Sequence, residues 1–132
     1  MPGFLFDSYA LLAFFQNERG AETVLEFLKE TKNNSIEPLI CVINLGEIVY
    51  LTKRRFGNTK KIEILGRIHQ LSFNIIPVTN DLVLGAAEIK ADYPISYADS
   101  FAAACAIEQS AEIVTGDPDF KKVEHLVKIH WI

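Results

Sequence analysis

Short apolar runs alternate with longer amphipathic stretches along the chain, and this alternation narrows the available folds more than any other feature. Strands are predicted over Phe4–Phe6, Leu39–Val42, Asn74–Val78, Ile113–Thr115 and Val127–His130. Most of these runs do not alternate polar and apolar residues, as strands of a half-exposed antiparallel sheet do. Strands buried on both faces need helices over both faces. We therefore predict a three-layer α/β/α fold with a mostly parallel five-stranded sheet.

Helices are predicted between these strands because apolar residues recur there at helical spacing. Polar turns and glycines such as Gly57 separate them. The predicted helices span Tyr9–Phe15, Ala21–Thr31, Leu45–Phe56, Thr59–Leu71, Asp81–Ala91 and Tyr97–Gln109. No repeat, linker or low-complexity segment interrupts the pattern, so residues 1–132 are expected to form a single domain.

Several acidic residues stand alone in uncharged, largely apolar stretches. Asp7, Glu47 and Asp99 are the only charged residues within 1–17, 38–52 and 93–107, respectively. With 23% charged residues overall, windows of this length would hold about three charges of mixed sign. A buried carboxylate is costly to desolvate unless a positive charge meets it, and none lies within these stretches. A bound cation is therefore the expected counter-charge.

A fourth acid, Asp117, follows the predicted fourth strand. Ligand sites in parallel sheets form at the carboxyl ends of the strands, where crossover connections leave a crevice. Asp7 directly follows the first strand, whereas Glu47 and Asp99 lie on helices, so all four are predicted to face one crevice. Oxygen ligands without Cys or His select Mg²⁺ or Mn²⁺, and one or two ions are expected. Such ions serve phosphoryl chemistry.

Each acid except Glu47 also has a structural alternative. Asp7 is placed to cap the helix that follows it. Asp99 stands three residues after Ser96, which is the spacing of a capping box. Asp117 is a common turn residue. Glu47 has neither a capping position nor a cation at i±4, and capping is in any case compatible with metal binding.

The choice between Asp117 and Asp119 as the fourth acid depends on Pro118. Because proline restricts its own φ and the residue before it, the two carboxylates should point in different directions. We predict that Asp117 faces the crevice and that Asp119 caps the short turn after it. Thr115 and Asn44 are accessory candidates, which either bind metal waters or substrate or cap the local backbone.

The charge of the chain limits how it could bind nucleic acid. The chain has 13 Lys and Arg against 17 Asp and Glu, a net charge of −4, which argues against nucleic-acid binding by bulk electrostatics alone. A local basic patch nevertheless follows Glu47, at Lys53–Arg55 and Lys60–Lys61. It is equally compatible with a solvated helix end and with contacts to phosphate.

Cysteine, histidine and hydropathy patterns indicate an intracellular protein. Cys41 and Cys105 lie in apolar contexts and are expected to be reduced core thiols. The three histidines have no ligand spacing, so no zinc site is expected. No uncharged apolar run is long enough to span a membrane, and the N-terminal stretch lacks a basic region. We expect a cytoplasmic protein that does not contact a membrane.

Four segments in order resemble the PIN-domain ribonucleases, in particular the VapC-type toxins of toxin–antitoxin pairs. They are Phe4–Asp7, Asn44–Ile48, Tyr97–Ala106 and Thr115–Phe120. The resemblance implies a five-stranded parallel α/β/α fold, a homodimer and dependence on Mg²⁺ or Mn²⁺. It also implies endonucleolytic cleavage of single-stranded RNA and a small antitoxin partner.

Matched to the family motifs, Asp7, Glu47 and Asp99 fall on the three regular acids and Asp117 on the fourth, with Asp119 able to replace or assist it. Tyr9 stands where many members carry a small polar residue, which leaves Ser8 as the nearby hydroxyl. Two alternatives stay open. One is a catalytically weak PIN-like module that binds protein or RNA. The other is a DNA or flap nuclease of the same fold, which the lack of an inserted arch makes less favourable.

Overall fold

The computed structural model describes residues 2–132, which form one five-stranded sheet with helices around it. The strands are β1 (Phe4–Phe6), β2 (Leu39–Cys41), β3 (Asn74–Ile76), β4 (Glu112–Thr115) and β5 (Ile129–Trp131). Their order in the sheet is β3-β2-β1-β4-β5, and every neighbouring pair is parallel. The predicted fold class is confirmed, and the sheet of the described residues is parallel throughout.

All the predicted helices occur. They are α1 (Ser8–Phe15), α2 (Ala21–Asn33), α3 (Val42–Phe56), α4 (Asn58–Gln70), α5 (Asn80–Asp92) and α6 (Tyr97–Glu108). A short 3-10 helix, Pro118–Val123, follows β4. Glycines separate several helices, and Gly57 between α3 and α4 has a φ of 92°, which a residue without a β-carbon adopts at little cost.

Several helices and strands begin or end at residues other than those predicted. Val42 begins α3 instead of ending β2, so the helix starts three residues before the predicted Leu45. Strand β3 ends at Ile76 and does not reach Val78, because Pro77 has no N–H to donate to the sheet. Strand β5 lies at Ile129–Trp131, in parallel register with β4, rather than at Val127–His130.

Two apolar clusters cover the two faces of the sheet. Helices α1 to α4 pack on one face, where Phe6, Leu11 and Ile48 are fully buried. Helices α5 and α6 pack on the other, where Phe101 and Leu82 are almost fully buried. The sheet is therefore the middle layer of three, as predicted for runs that are apolar on both sides.

The strand order places a switch point beside β1. The chain moves from β1 outward through β2 to β3, and then returns through α5 and α6 to β4 on the other side of β1. Phe6 and Val114 are paired in register, so Asp7, which directly follows β1, lies beside Thr115, the last residue of β4. Crossovers that leave in opposite directions open a crevice at this point.

Two further predictions concern the core and the membrane. Cys41 and Cys105 are both buried and free, which confirms the prediction of core thiols. Among the described residues, no helix combines the length and the hydropathy that crossing a bilayer requires.

Candidate active site

Asp7 is held at the centre of the sheet edge by one hydrogen bond to each of its oxygens. It directly follows β1 and is only 1% exposed. One carboxylate oxygen accepts from the backbone N–H of Ala10 at 2.9 Å, so Asp7 caps α1 as predicted. The other accepts from the Thr115 hydroxyl at 2.5 Å. The cap does not use up the carboxylate, because each oxygen keeps a second lone pair.

Consecutive hydrogen bonds connect Thr115, Asp117 and Asp119 at the end of β4. The Thr115 hydroxyl oxygen accepts from the backbone N–H of Asp117 at 3.0 Å. Asp117 in turn accepts from the backbone N–H of Asp119 at 3.0 Å and caps the 3-10 helix. The prediction that Asp119 is the cap is therefore wrong. Asp117 precedes the first residue of this helix, which is where a side chain can reach a free N–H.

Asp99 enters the crevice from the first turn of α6. Ser96 caps this helix by accepting from the backbone N–H of Asp99 at 3.1 Å, which is half of the predicted capping box. The carboxylate of Asp99 remains available, and the residue is 8% exposed. Asn44 on α3 donates to the carbonyl of Ala98 at 3.4 Å and so connects α3 to this turn. The Asn44 carbonyl oxygen is buried without a hydrogen-bond partner.

Glu47 reaches the same crevice from α3. Its carboxylate accepts a hydrogen bond from the hydroxyl of Ser8, the first residue of α1. Ser8, the hydroxyl expected near the site, therefore supports the Glu47 carboxylate, and its accessory role stays a prediction. Thr115 has the same position toward Asp7, whereas Asn44 supports the backbone of α6.

The acids converge from four different elements. Asp99, Asp117 and Asp119 each present one carboxylate oxygen, and these three oxygens lie within 4.8 Å of one another. Lys122 contacts Asp119 at 3.3 Å, and both side chains are about half exposed, at 44% and 50%. Within residues 2–132, no other Lys, Arg or His lies within 4.0 Å of a carboxylate of this group.

Burial and mutual repulsion favour protonation of the two innermost acids. Burial raises the pKa of Asp7 to about 7; the charges of Asp99 and Asp117 add to the rise, whereas the hydrogen bonds from Thr115 and Ala10 oppose it. Burial also raises the pKa of Asp99 to about 6, and the charge of Asp117 contributes next. Both shifts measure the free energy needed to hold these carboxylates charged without a nearby cation.

The donor set fits a hard divalent cation. The cluster consists of carboxylate oxygens, with hydroxyl groups of Ser8 and Thr115 holding two of them and with no His or Cys. Mg²⁺ and Mn²⁺ prefer such oxygen ligands. Burial is the main cause of the raised pKa values of Asp7 and Asp99, and the repulsion from neighbouring acids that adds to them is the interaction that a bound cation would offset.

Some features of the site are absent from the sequence predictions. Lys122 was not predicted at the site; it contacts Asp119, the acid expected to replace or assist Asp117, which belongs to the cluster of carboxylates as closely as Asp117 does. Gly116 lies against Tyr9: a β-carbon at position 116 would stand 2.5 Å from the Tyr9 ring. A glycine directly after a strand is the signal that could have indicated this close approach.

A parallel sheet with acids at its switch point defines a class of α/β domain. Comparisons with known proteins identify the family to which this domain belongs. The family described as PIN domain matches residues 4–126, and the chain therefore belongs to the PIN domain family. This confirms the resemblance drawn from the motifs. No curated protein gives a significant sequence match.

Solved structures of VapBC proteins have the same fold. VapBC2 from Rickettsia felis, bound to a DNA fragment from its promoter, matches with a TM-score of 0.79 and 17% identity over 96% of each chain. VapC20 from Mycobacterium tuberculosis, a toxin that cleaves the sarcin–ricin loop, matches with a TM-score of 0.73 and 17% identity over 92% of this chain and 95% of that chain.

A toxin–antitoxin complex from Klebsiella pneumoniae matches with a TM-score of 0.71 and 21% identity, over 98% of this chain and 100% of that chain. At these identities the similarity establishes the fold and not the activity.

The cap at Asp117 leads to a testable difference between two substitutions at one position. Asp117→Asn and Asp117→Ala both remove the charge, but only asparagine retains an oxygen that accepts from the N–H of Asp119. In EDTA, we expect the alanine variant to be less stable than the asparagine variant by about 1 kcal/mol, a typical capping loss. Urea unfolding measures the difference.

The matched pair at Asp119 is the control. Asp119→Asn and Asp119→Ala should unfold at nearly the same urea concentration, because Asp119 caps nothing. A larger difference at 119 than at 117 would contradict the observed cap.

Proposed function

We propose that this protein is a Mg²⁺- or Mn²⁺-dependent endoribonuclease that cleaves single-stranded RNA, and that it is the toxin of a toxin–antitoxin pair. The observation that carries the proposal is the meeting of Asp7, Glu47, Asp99 and Asp117 at the switch point of the sheet. Two of these acids are almost completely buried, with their pKa values raised. A cluster that is costly without a cation, in a PIN domain, supports a metal-dependent hydrolase.

In this proposal the acids hold the metal and two hydroxyl groups orient the acids. Asp7, Glu47, Asp99 and Asp117 would hold one or two ions, with Asp119 as a further oxygen donor. A bound ion of this kind supplies an activated water and neutralises charge on a phosphodiester undergoing hydrolysis. Thr115 and Ser8 orient Asp7 and Glu47 through their hydroxyl groups, so the ligand oxygens are held in place before substrate arrives.

The substrate and partner assignments are supported by the structural relatives. VapC20 is a toxin that cleaves the sarcin–ricin loop, and the matching structure from Klebsiella pneumoniae is a toxin–antitoxin complex. We propose by analogy that this chain acts on RNA in the cytoplasm, forms a homodimer and is inhibited by a small antitoxin protein.

Chelation is the direct test of the metal mechanism. Purified protein should cleave a fluorescently labelled single-stranded RNA in Mg²⁺ or Mn²⁺, lose this activity in EDTA and regain it when excess Mn²⁺ is added. The physical reason is that the carboxylates alone repel both one another and the phosphate. The same oligonucleotide as DNA, read on a denaturing gel, tests the alternative of a DNA nuclease.

The control is the Asp99→Asn variant purified in the same way, which should be inactive under all these conditions. Cleavage by the wild-type protein that persists in EDTA would rule out the metal mechanism. Absence of cleavage with every metal and both nucleic acids would instead favour the binding-module alternative.

The antitoxin proposal has a separate test in the neighbouring DNA. A short reading frame directly upstream, encoding a basic DNA-binding segment and an amphipathic tail, should co-purify with this chain when the two are expressed together and should inhibit cleavage. An upstream product that neither binds nor inhibits would contradict the toxin assignment but leave the nuclease assignment intact.

A further inference from the structure

A groove between α1 and α3 begins beside the acids and ends at a group of arginines. Its volume is about 400 Å³. Tyr9, two residues after Asp7, lines the near end, while Arg19, Arg54 and Arg55 line the far end, with apolar side chains such as Leu51 between them. Tyr9 also packs against Gly116, the residue before Asp117, and so connects the groove to the candidate active site.

Helix geometry connects the acids to the arginines along one face of α3. Glu47, Leu51 and Arg54 are spaced at i, i+4 and i+7, which places them on the same side of the helix. At 1.5 Å rise per residue, Arg54 lies about 10 Å along the axis from Glu47. A chain molecule bound at the acids would reach the arginines if it followed the groove.

The arginines at the far end are not neutralised by the protein. Within residues 2–132, no carboxylate lies within 4.0 Å of the guanidinium of Arg19, Arg54 or Arg55. Glu18 is the single acid among the lining residues, so the lining carries a net positive charge. In a chain whose net charge is −4, this groove is locally complementary to an anion.

Neighbouring side chains support the two arginines of α3. The guanidinium of Arg54 lies over the Tyr50 ring at 5.3 Å from its centroid, and that of Arg55 lies over Phe56 at 5.0 Å. Arg55 also donates to the side chain of Gln16 at 3.4 Å. These contacts leave N–H groups free for a further acceptor, since each guanidinium has five.

Tyr9 presents an aromatic surface where the groove meets the acids. The residue is 46% exposed, and its ring lies so close to Gly116 that no larger residue would fit between ring and backbone. A half-exposed ring held against the strand end offers its remaining surface to a flat ligand. Aromatic rings beside arginines are the usual elements of single-strand nucleic-acid sites.

We propose that this groove binds the RNA strand that flanks the cleaved bond, with its phosphates on Arg54 and Arg55 and one base stacked on Tyr9. The assignment rests on the proposed nuclease function and extends it to the substrate. Guanidinium groups match phosphate in geometry and charge, and Tyr9 packs against Gly116, next to the acid Asp117. Arg54, Arg55 and Tyr9 are substrate-binding residues that contact the RNA away from the reacting atoms.

A charge-removing double variant tests the phosphate contacts. Binding of a fluorescent single-stranded RNA is measured by anisotropy in EDTA, so that no cleavage occurs. We expect Arg54→Gln/Arg55→Gln to weaken binding at least tenfold and to lower the slope of log affinity against log salt by about 1.4, which is two phosphate contacts on a single strand. In Mg²⁺, the KM for RNA cleavage should rise tenfold while kcat changes by less than threefold.

The matched control removes two positive charges from another place. Lys29 and Lys32 are exposed near the end of α2, at the edge of the sheet opposite the acids. Lys29→Gln/Lys32→Gln should bind RNA within twofold of wild type. Melting curves of both double variants check that the fold is retained.

A second pair of variants tests the stacking contact. Tyr9→Ala should weaken RNA binding at least fivefold, because the variant loses the aromatic ring on which one base stacks. Tyr9→Phe keeps the ring and should bind within twofold of wild type. Equal weakening by both variants would overturn the stacking assignment.

The outcomes separate this inference from the proposed function. If the arginine variant binds RNA as tightly as wild type while the wild type cleaves RNA, the groove assignment is wrong and the nuclease assignment stands. If wild type binds RNA through the arginines but does not cleave it, the groove assignment stands and the nuclease assignment is wrong. Unchanged RNA binding with loss of inhibition by a protein partner would assign the groove to that partner and overturn the proposal.

Discussion

Asp99→Asn is expected to lower the rate of RNA cleavage at least about a hundredfold, the scale of one lost preorganised electrostatic contact. Asparagine has the shape of aspartate but not its charge, so the Ser96 cap, which uses only the backbone N–H of residue 99, is retained. The carboxylate that faces Asp117 and Asp119 is lost. Cleavage of labelled RNA under single-turnover conditions measures the chemical step directly.

Glu47→Gln should have an effect of the same size for the same reason. Its amide oxygen still accepts from the Ser8 hydroxyl, so the side chain keeps its place while the negative charge disappears. Near-normal cleavage by either variant would reject the assignment of that residue as a metal ligand.

Matched controls for these two variants lie on the surface. Asp92→Asn at the end of α5 and Glu26→Gln in the middle of α2 make the same chemical changes at exposed positions. Both should cleave RNA at the wild-type rate. All four variants should keep the far-ultraviolet circular dichroism of the wild type, which excludes loss of fold as the cause.

The metal-free protein is expected to become less stable as the pH rises from about 4 to about 7. Asp7 has a pKa of about 7 in the folded protein against 3.8 when unfolded, so the folded state binds more protons in this interval. Stability falls with pH wherever the native state binds more protons than the unfolded one. At about 1.4 kcal/mol per pKa unit, Asp7 alone accounts for a loss of about 4 kcal/mol by pH 8.

Asp7→Asn should remove most of this dependence. Its amide oxygen can accept from the N–H of Ala10, and its NH₂ group can donate to Thr115, so the substitution keeps both neighbours without the buried charge. At pH 8 in EDTA, we expect the variant to melt about 10 °C above wild type, whereas at pH 4 the two should melt within a few degrees. Calorimetry at both pH values checks the prediction.

Metal should stabilise wild type more than it stabilises Asp7→Asn. Millimolar Mn²⁺ at pH 8 should raise the melting temperature of wild type, because it binds only the folded cluster, and should raise that of Asp7→Asn much less. A wild-type melting temperature that does not change with pH or with Mn²⁺ would contradict the description of this cluster as a cation site.

The correspondence between sequence and structure is closest for the acids themselves. Asp7, Glu47 and Asp99 could be identified because each is a single charge within an apolar stretch, and a charge in a segment that must be buried needs a local cause. The layer arrangement was also predictable, since runs that are apolar on both sides require covering on both sides. The role of Asp7, Glu47 and Asp99 as metal ligands stays a prediction.

The ends of elements and the division of roles between close neighbours were less predictable. Val42 is β-branched and fits a strand, yet it begins α3. Asp117 and Asp119 are two residues apart and have the same side chain, so only the observed hydrogen bonds show which one caps the 3-10 helix. Local propensity is similar for both alternatives in each case, and the tertiary context decides between them.

The sequence by itself determined the α/β class, the PIN-type motifs and the places where charge enters the core, because these depend on local periodicity and on the cost of burying a charge. Only the tertiary structure decided which side chains meet. It brought Thr115 to Asp7 across 108 residues and Ser8 to Glu47 across 39. It also placed Arg54 and Arg55 at the end of a groove that begins at Tyr9. Contacts between distant parts of a chain follow from strand order and helix packing, which no local pattern encodes.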